Sequence, residues 1–283
     1  MQLKEQFVDC TRIDVPIGQL NAQAREIRRK ILKMITHARG GHIGASLSET
    51  DILTALFFHT LRLSPETMAD PDRDRFVLSK GHASEGLYAV LAERGFFPKA
   101  WLDNYLKADC PLTIHPTNQV PGVEANTGAL GHGFSIAVGM ALGAKKARRP
   151  CRVFVLTGDG ELQEGSNWEA AMSAAHFKLG NLTWIIDNNG LQLVSSIKDT
   201  MGIEPLEDKL RAFGFDTRHV DGNNAENVAA LLDALDYDGG VPHAVIAKTV
   251  KGNGVSFMEN VPEWHHRIPT EEECKKALQE LVS

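Results

Sequence analysis

The segments RVFVL (152–156) and LTWIID (182–187) are unbroken apolar runs of strand length, rich in β-branched and aromatic residues. A strand with one wet face alternates apolar and polar residues, so a run without alternation must be covered on both faces. The residues between the runs, about 166–178, carry a helical pattern, and the stretch reads as a strand–helix–strand unit with parallel strands. The alternation continues through DTRHV (216–220), a helix at 225–236 and HAVIAK (243–248), and RFVLS (75–79) reads as a shorter buried strand. The fold class that follows is α/β, a doubly wound, mainly parallel sheet flanked by helices.

Upstream, residues 18–38 place Leu20, Ala24, Ile27, Ile31 and Met34 on one face of an amphipathic helix that stops at Gly40-Gly41. Ser48, with Asp51 three positions on, is expected to cap a second helix, and Gly81-His82 precede a helix through Glu93. Residues 107–132 form a long loop rich in Pro, Gly, Asn and Thr, a length that is usually functional. HGFSIAVGMALGAKKA follows as a small-residue helix, and Thr270 with Glu273 is a capping box opening a last helix. With no repeat or low-complexity linker, the expected organisation is an N-terminal extension, 1–17, and a single domain, 18–283.

A chain of 283 residues, 43% hydrophobic, buries a substantial core without staples. Its formal net charge is −6, and its densest basic patch, Lys145, Lys146, Arg148 and Arg149, reads as a solvated helix end, which argues against a nucleic-acid partner. Cys10, Cys110, Cys151 and Cys274 form no metal-type or redox-type pair, which fits a reduced, cytoplasmic setting. The polar start MQLKEQFVDCTRID is not a signal peptide, and no apolar stretch approaches the roughly 18–20 residues that span a bilayer.

The chemistry is concentrated in LTGDGELQEGSNWEAAMSAAHFKLGNLTWIIDNNGL (156–191). Loops at the carboxyl ends of parallel strands form the binding crevice, and here Gly158-Asp159-Gly160 and Asn188-Asn189 end adjacent strands. The glycines admit a tight turn and a close ligand, and free backbone N–H groups there favour phosphate. The side-chain oxygens of Asp159 and Asn189 suit a hard cation, Mg²⁺ or Ca²⁺. A diphosphate with Mg²⁺ fits this set. No G-x-G-x-x-G and no Gly-Lys-Ser/Thr is present, so it is neither a dinucleotide loop nor a P-loop.

Gly-Asp-Gly, a spacer, then Asn-Asn closely resembles the signature of the thiamine-diphosphate family. That resemblance implies that Asp159, Asn189 and the carbonyl of Leu191 hold Mg²⁺ (Ca²⁺ or Mn²⁺ being alternatives), with Gly158 and Gly160 beside the diphosphate. Four histidines in Gly- or Pro-flanked loops, His42, His82, His115 and His265, suit proton transfer near neutrality. DRFVLSKGHAS, PGVEANTGALGHG, HFKLGNL and KTVKGNGVSFMEN are similar to transketolase, over about residues 18–268. By this resemblance His42 and His82 line the channel, His82 also approaching the diphosphate. His115 meets the donor's first hydroxyl, and His265 contacts the diphosphate and reacting oxygens. Gly128 and Leu130 contact the cofactor, and Glu164 reaches the partner's catalytic glutamate.

Ile114, Thr117 and His266 depart from the commoner transketolase pattern near the sugar channel, where glycine is usual at the first and third. His59 and His176 read as structural, Trp168 and Trp264 as packing residues and Cys110 as a bystander, with the role of His132 open. In the resembled family a second α/β domain supplies the catalytic glutamate and the sugar-phosphate site. The chain therefore resembles the N-terminal half of a split transketolase, active only with a separate C-terminal subunit, in an α₂β₂ assembly. Thiamine diphosphate would serve as electron sink for ketol transfer between sugar phosphates. Pentose phosphates are the default substrates and a dedicated catabolic sugar the alternative. The competing readings are the α subunit of a 2-oxo acid dehydrogenase, which shares Gly-Asp-Gly and Asn-Asn, and a non-catalytic binding or regulatory subunit that kept the fold.

Overall fold

A computed structural model of the chain describes residues 15–193 and 195–282. The expected extension, 1–17, lies mostly outside the described residues, as does Cys10. Five strands, β1 (Arg75–Leu78), β2 (Val153–Gly158), β3 (Leu182–Asn188), β4 (Asp216–Asp221) and β5 (His243–Lys248), form one sheet in the order β1-β2-β3-β5-β4. Every pairing is parallel. Around them lie α1 (Leu20–Ala38), α2 (Ile43–Ser48), α3 (Thr50–Ala55), α4 (Ser84–Glu93), α5 (Gly133–Lys146) and α6 (Gly165–His176). The chain continues through α7 (Ile197–Met201), α8 (Leu206–Ala212), α9 (Ala225–Asp233) and α10 (Glu271–Glu280).

The unbroken apolar runs are explained by their two destinations. Phe154, Leu156, Ile185 and Val245 join a core with α1, α3, α4 and α9, whereas Val155, Trp184, Ile186 and Ala244 join a second core with α5, α6 and α8. Successive residues of one strand point to opposite faces, so both parities must be apolar. Trp184 anchors the second core, stacking on Phe134 at 4.0 Å between ring centres while its indole N–H donates to Thr157 Oγ1 at 2.9 Å. DTRHV differs because β4 is the edge strand, and Arg218 and His219 face solvent.

A helix does start near Ser48, α3 at Thr50, but Ser48 does not cap it, because a further helix, α2, runs up to Ser48. Helix α2 opens at Ile43 directly after His42, and Ser48 is its last residue. Instead of capping, Ser48 Oγ donates to Asp187 Oδ2 at 2.6 Å, and Asp51 forms a buried ion pair with Arg28 of α1. Long-range satisfaction of buried carboxylates outweighs the local cap here. The box at Thr270 forms as expected, with Thr270 N–H donating to Glu273 Oε2 at 2.9 Å and Glu273 N–H to Thr270 Oγ1 at 3.2 Å. Residues 107–132 contain no helix or strand; buried Leu112, Val120 and Val123 tie the loop to the core. No helix of the described residues is long and apolar enough to cross a membrane.

Candidate active site

The register of the sheet delivers the two motifs to one place. Gly158 of β2 pairs with Asp187 of β3, and Asp159 N–H donates to the Asp187 carbonyl at 3.2 Å. From there Asp159 Oδ1 accepts from Gly160 N–H at 2.9 Å and Oδ2 from Gly190 N–H at 2.6 Å, so its carboxylate bridges both strand tips. Asn189 Oδ1 accepts from Leu191 N–H at 3.0 Å. Asp159 is buried, and among the described residues no lysine or arginine forms an ion pair with it. Burial first, and then the nearby charge of Asp187, push its pKa up to about 7. A buried carboxylate without a paired charge, beside an amide oxygen and a carbonyl, is a donor set suited to a hard divalent cation.

Lys251, buried on the segment after β5, places a positive charge near Asp159. Its Nζ donates to the Leu191 carbonyl at 3.3 Å and to His265 Nδ1 at 3.0 Å. Burial, followed by repulsion from Lys80, lowers its pKa to about 8. The lysine thus neutralises part of the oxygen cluster and holds His265 in the tautomer with its proton on Nε2.

These residues line a cleft of about 400 Å³ above the carboxyl ends of β1, β2, β3 and β5. His42, His82 and His265 form one wall, with ring centres 5.1 Å (His42–His82), 5.5 Å (His42–His265) and 5.4 Å (His82–His265) apart. His266, which stands where the resembled pattern has glycine, lies 4.8 Å from His42 and is exposed. The structure therefore gathers three of the four singled-out histidines around one space. His115 lies one layer out, its ring against Gly128. That glycine has φ +141°, and a Cβ there would come within 2.6 Å of the ring. The loop carrying Leu130 can approach the cleft only with glycine at this position. Gly158, Gly160, Leu130 and Glu164 also line the cleft.

Burial is the leading cause that lowers the histidines' basicity, reinforced by neighbouring positive charge. His42 falls to about 4, chiefly by burial and then by His266; His265 falls to about 3, by burial and then by Lys251; His82 is lowered well below the ordinary value. All three are neutral near pH 7, each able to donate from one ring nitrogen and accept at the other. The His42 Nδ1 atom is buried and has no partner within the described residues. In an NMR titration of the isolated, metal-free chain, the His42 and His265 rings are expected to stay neutral down to about pH 4 and about pH 3, respectively. Titration near pH 6.5 would contradict this electrostatic picture.

Sequence reasoning missed the polar base of the site. Lys80 Nζ pairs with Asp187 Oδ2 and lies 2.9 Å from Glu49 Oε2, all three side chains being buried. Glu161, also buried, accepts from Ser79 Oγ at 2.5 Å and from Gly131 N–H at 2.9 Å. Lys80 and Lys251 each precede a glycine in segments already singled out, SKGH and VKGNG, which was their only local signal. The blander readings agree with the structure for Trp264, which is buried, and for Trp168, which packs on Phe213 with ring centres 5.4 Å apart. His59 joins Asp233 at 2.7 Å, far from the cleft, and His176 stands beside Phe177 at the exposed end of α6. His132 is exposed at the start of α5, its Nδ1 3.1 Å from the Leu130 carbonyl, and Cys110 Sγ contacts the Trp101 carbonyl.

Comparison with known proteins agrees with this geometry. Residues 20–281 match the family model described as transketolase, thiamine diphosphate binding domain. The chain is 47% identical to an apulose-4-phosphate transketolase subunit of Actinobacillus succinogenes, over 93% of this chain and 96% of that one. It is 39% identical to the 6-deoxy-6-sulfo-D-fructose transketolase subunit SqwG of a Clostridium species, with 93% and 96% covered. The crystal structure of Campylobacter jejuni transketolase superposes with a TM-score of 0.87 at 31% identity, covering 94% of this chain but 43% of that one. The chain belongs to the transketolase family, as its thiamine-diphosphate-binding part.

Proposed function

We propose that this chain, folded as a single domain over 18–283, is the N-terminal subunit of a two-subunit transketolase. It would move a two-carbon ketol unit from a ketose phosphate to an aldose acceptor. The observation that carries the reading is the β2–β3 register, which sets Asp159 and Asn189 side by side beneath the neutral histidines. Thiamine diphosphate, when bound, supplies the electron sink for cleavage beside a ketone. Asp159, Asn189 and the Leu191 carbonyl hold Mg²⁺, which Mn²⁺ or Ca²⁺ could replace, and the backbone at Gly158 and Gly160 receives the diphosphate. Gly128 and Leu130 contact the rest of the cofactor. His82 and His265 hydrogen-bond the diphosphate side, while His42 and His115 receive the sugar's hydroxyl and carbonyl oxygens. Glu164, exposed at the rim, meets the C-terminal subunit, which completes the site in an α₂β₂ assembly.

These two relatives are named for apulose 4-phosphate and 6-deoxy-6-sulfo-D-fructose, and both names specify one subunit of an enzyme. We assign this chain the first chemistry, a branched ketose phosphate such as apulose 4-phosphate. The 47% identity to the apulose-4-phosphate relative supports that choice, and the departures at Ile114, Thr117 and His266 near the sugar channel leave a pentose phosphate as the less favoured donor. The match over residues 20–281 disfavours a 2-oxo acid dehydrogenase. The three described cysteines are free, as in a reducing cytoplasm.

The test is ketol transfer to an aldose phosphate with thiamine diphosphate and Mg²⁺, using apulose 4-phosphate and xylulose 5-phosphate as donors. Each is assayed with and without the C-terminal partner. Turnover is expected only in the mixture, and faster with the branched donor. Preference for xylulose 5-phosphate would overturn the sugar assignment. Absence of turnover in the mixture with either donor would overturn the activity assignment.

A further inference from the structure

The first turns of α4 carry a buried carboxylate that the proposed chemistry does not use. Glu85 is fully buried and has no cationic partner among the described residues. Its Oε1 accepts from His42 N–H at 3.0 Å and from Tyr105 O–H at 2.7 Å, and its Oε2 accepts from Ser46 Oγ at 2.8 Å. Three donors from two separate segments, the start of α2 and the stretch at Tyr105, converge on one side chain. The approach depends on Gly41, whose φ is +137° and whose Cβ would fall 2.3 Å from Glu85 Oε1. On its other side, the His42 carbonyl accepts the Ser46 N–H at 3.1 Å, starting α2. His42 is thereby held at both ends of its backbone, with its ring lining the cleft.

The same helix holds the loop before His115. Ser84 Oγ donates to the Ile114 carbonyl at 3.0 Å, and Tyr88 O–H to the Thr113 carbonyl at 2.9 Å. His82 immediately precedes this helix in the chain. Ser84, Glu85 and Tyr88 thus set the relative placement of three histidines on three different loops.

We infer that Glu85 is a positioning residue for His42, acting as a hydrogen-bond acceptor that registers the His42 loop and the Tyr105 segment against α4. This rests on the transketolase reading for its kinetic consequence, though not for its geometry. Acceptance, not charge, is the operative property. A glutamine can keep Oε1 as acceptor for His42 and Tyr105 while its amide faces the Ser46 hydroxyl, which can accept.

The experiment compares Glu85→Ala, Glu85→Gln and Tyr105→Phe, each with the C-terminal partner. Displacement of a reacting group by about 1 Å costs about 100-fold, so Glu85→Ala is expected to lower donor kcat/KM by about that factor. Glu85→Gln should stay within about 5-fold of wild type, and Tyr105→Phe should fall between the two. All three should bind thiamine diphosphate and Mg²⁺ as wild type does by calorimetry, since Glu85 lies outside the diphosphate end. A second readout needs no turnover: in an NMR titration of the chain alone, the His42 ring of Glu85→Ala should titrate closer to 6.5, while Glu85→Gln stays near wild type. Wild-type kinetics and an unmoved His42 titration in Glu85→Ala would overturn the inference, as would equal losses in alanine and glutamine variants. If Glu85→Ala does not fold, the ordering of Glu85→Gln above Tyr105→Phe decides. If the wild-type mixture does not turn over, the activity assignment fails while the NMR comparison still judges Glu85.

Discussion

Replacing Asp159 by asparagine is expected to weaken Mg²⁺-dependent cofactor binding by about 100-fold or more, the equivalent of roughly 3 kcal/mol. The metal-free chain should nevertheless fold. In that chain the carboxylate is buried beside Asp187, which raises its pKa from 3.8 to about 7. The folded state therefore binds more protons than the unfolded state between about pH 4 and pH 7, and stability is lost as pH rises through that window. Asparagine removes this dependence. It also loses one acceptor, so either Gly160 N–H or Gly190 N–H goes unpaired, at a cost of about 1–3 kcal/mol. The two effects oppose each other at pH 8, where the variant should melt close to or above wild type without metal. Near pH 4.5 wild-type Asp159 is largely protonated and only the lost acceptor remains, so the variant should melt lower. Calorimetry with the C-terminal partner, alongside thermal melts in chelator, measures both. Undiminished Mg²⁺-dependent binding would remove Asp159 from the proposed metal ligands.

The parts that were legible in the sequence are those set by local pattern. Continuous burial writes itself as an unbroken apolar run, so β2 and β3 could be read from RVFVL and LTWIID, and the parallel connection then placed Asp159 and Asn189 at neighbouring tips. Ser48 shows the opposite case. Its side chain satisfies Asp187, 139 positions away, and no local rule registers that demand. Lys80, Asp187 and Glu49 escaped notice for the same reason, since a lysine in a Gly-flanked segment and an aspartate ending a strand look like solvent-facing residues until the sheet juxtaposes them. The convergence of His42, His82 and His265 has no signature in their spacing; it follows from α2, which starts after His42, packing against the turn at 81–83 that carries His82 and the turn at 262–265 that carries His265. Glu85 was invisible because its donors come from two segments, around His42 and at Tyr105, whose adjacency to α4 is tertiary.

Lys80→Ala carries the largest expected loss of stability. It leaves two carboxylates, Glu49 and Asp187, both fully buried, without the ammonium between them. Removing one partner of a buried ion pair costs about 3–5 kcal/mol, a large fraction of the roughly 5–15 kcal/mol that holds a domain folded. At this chain length that corresponds to roughly 10 °C in melting temperature. The pH dependence identifies the cause. Burial alone would raise Asp187, but Lys80 and the hydroxyls of Ser48 and Thr249 outweigh it and hold the group below 3.8. Its contribution is present above pH 3.8 and lost as pH falls through the lower folded value. Burial alone would lower Lys80, yet the two acids raise it above 10.5, so its contribution is present below that pH and lost above. Glu49 runs the other way: burial, opposed by Lys80, lifts it to about 8, and it disfavours folding as pH rises from 4.5. Near pH 7 the triad is thus one ion pair with a protonated acid beside it. Without Lys80, folding must protonate Asp187 as well, which is easier at pH 5 than at pH 8. The deficit should accordingly shrink on acidification. Lys80→Met, which keeps most of the side-chain volume, should show the same pH dependence, and adding Asp187→Asn should recover much of the loss at pH 8. A deficit independent of pH, or one that Lys80→Met repairs, would mean that Lys80 stabilises by packing and that the charges beneath the cofactor site do not hold β1 to β3.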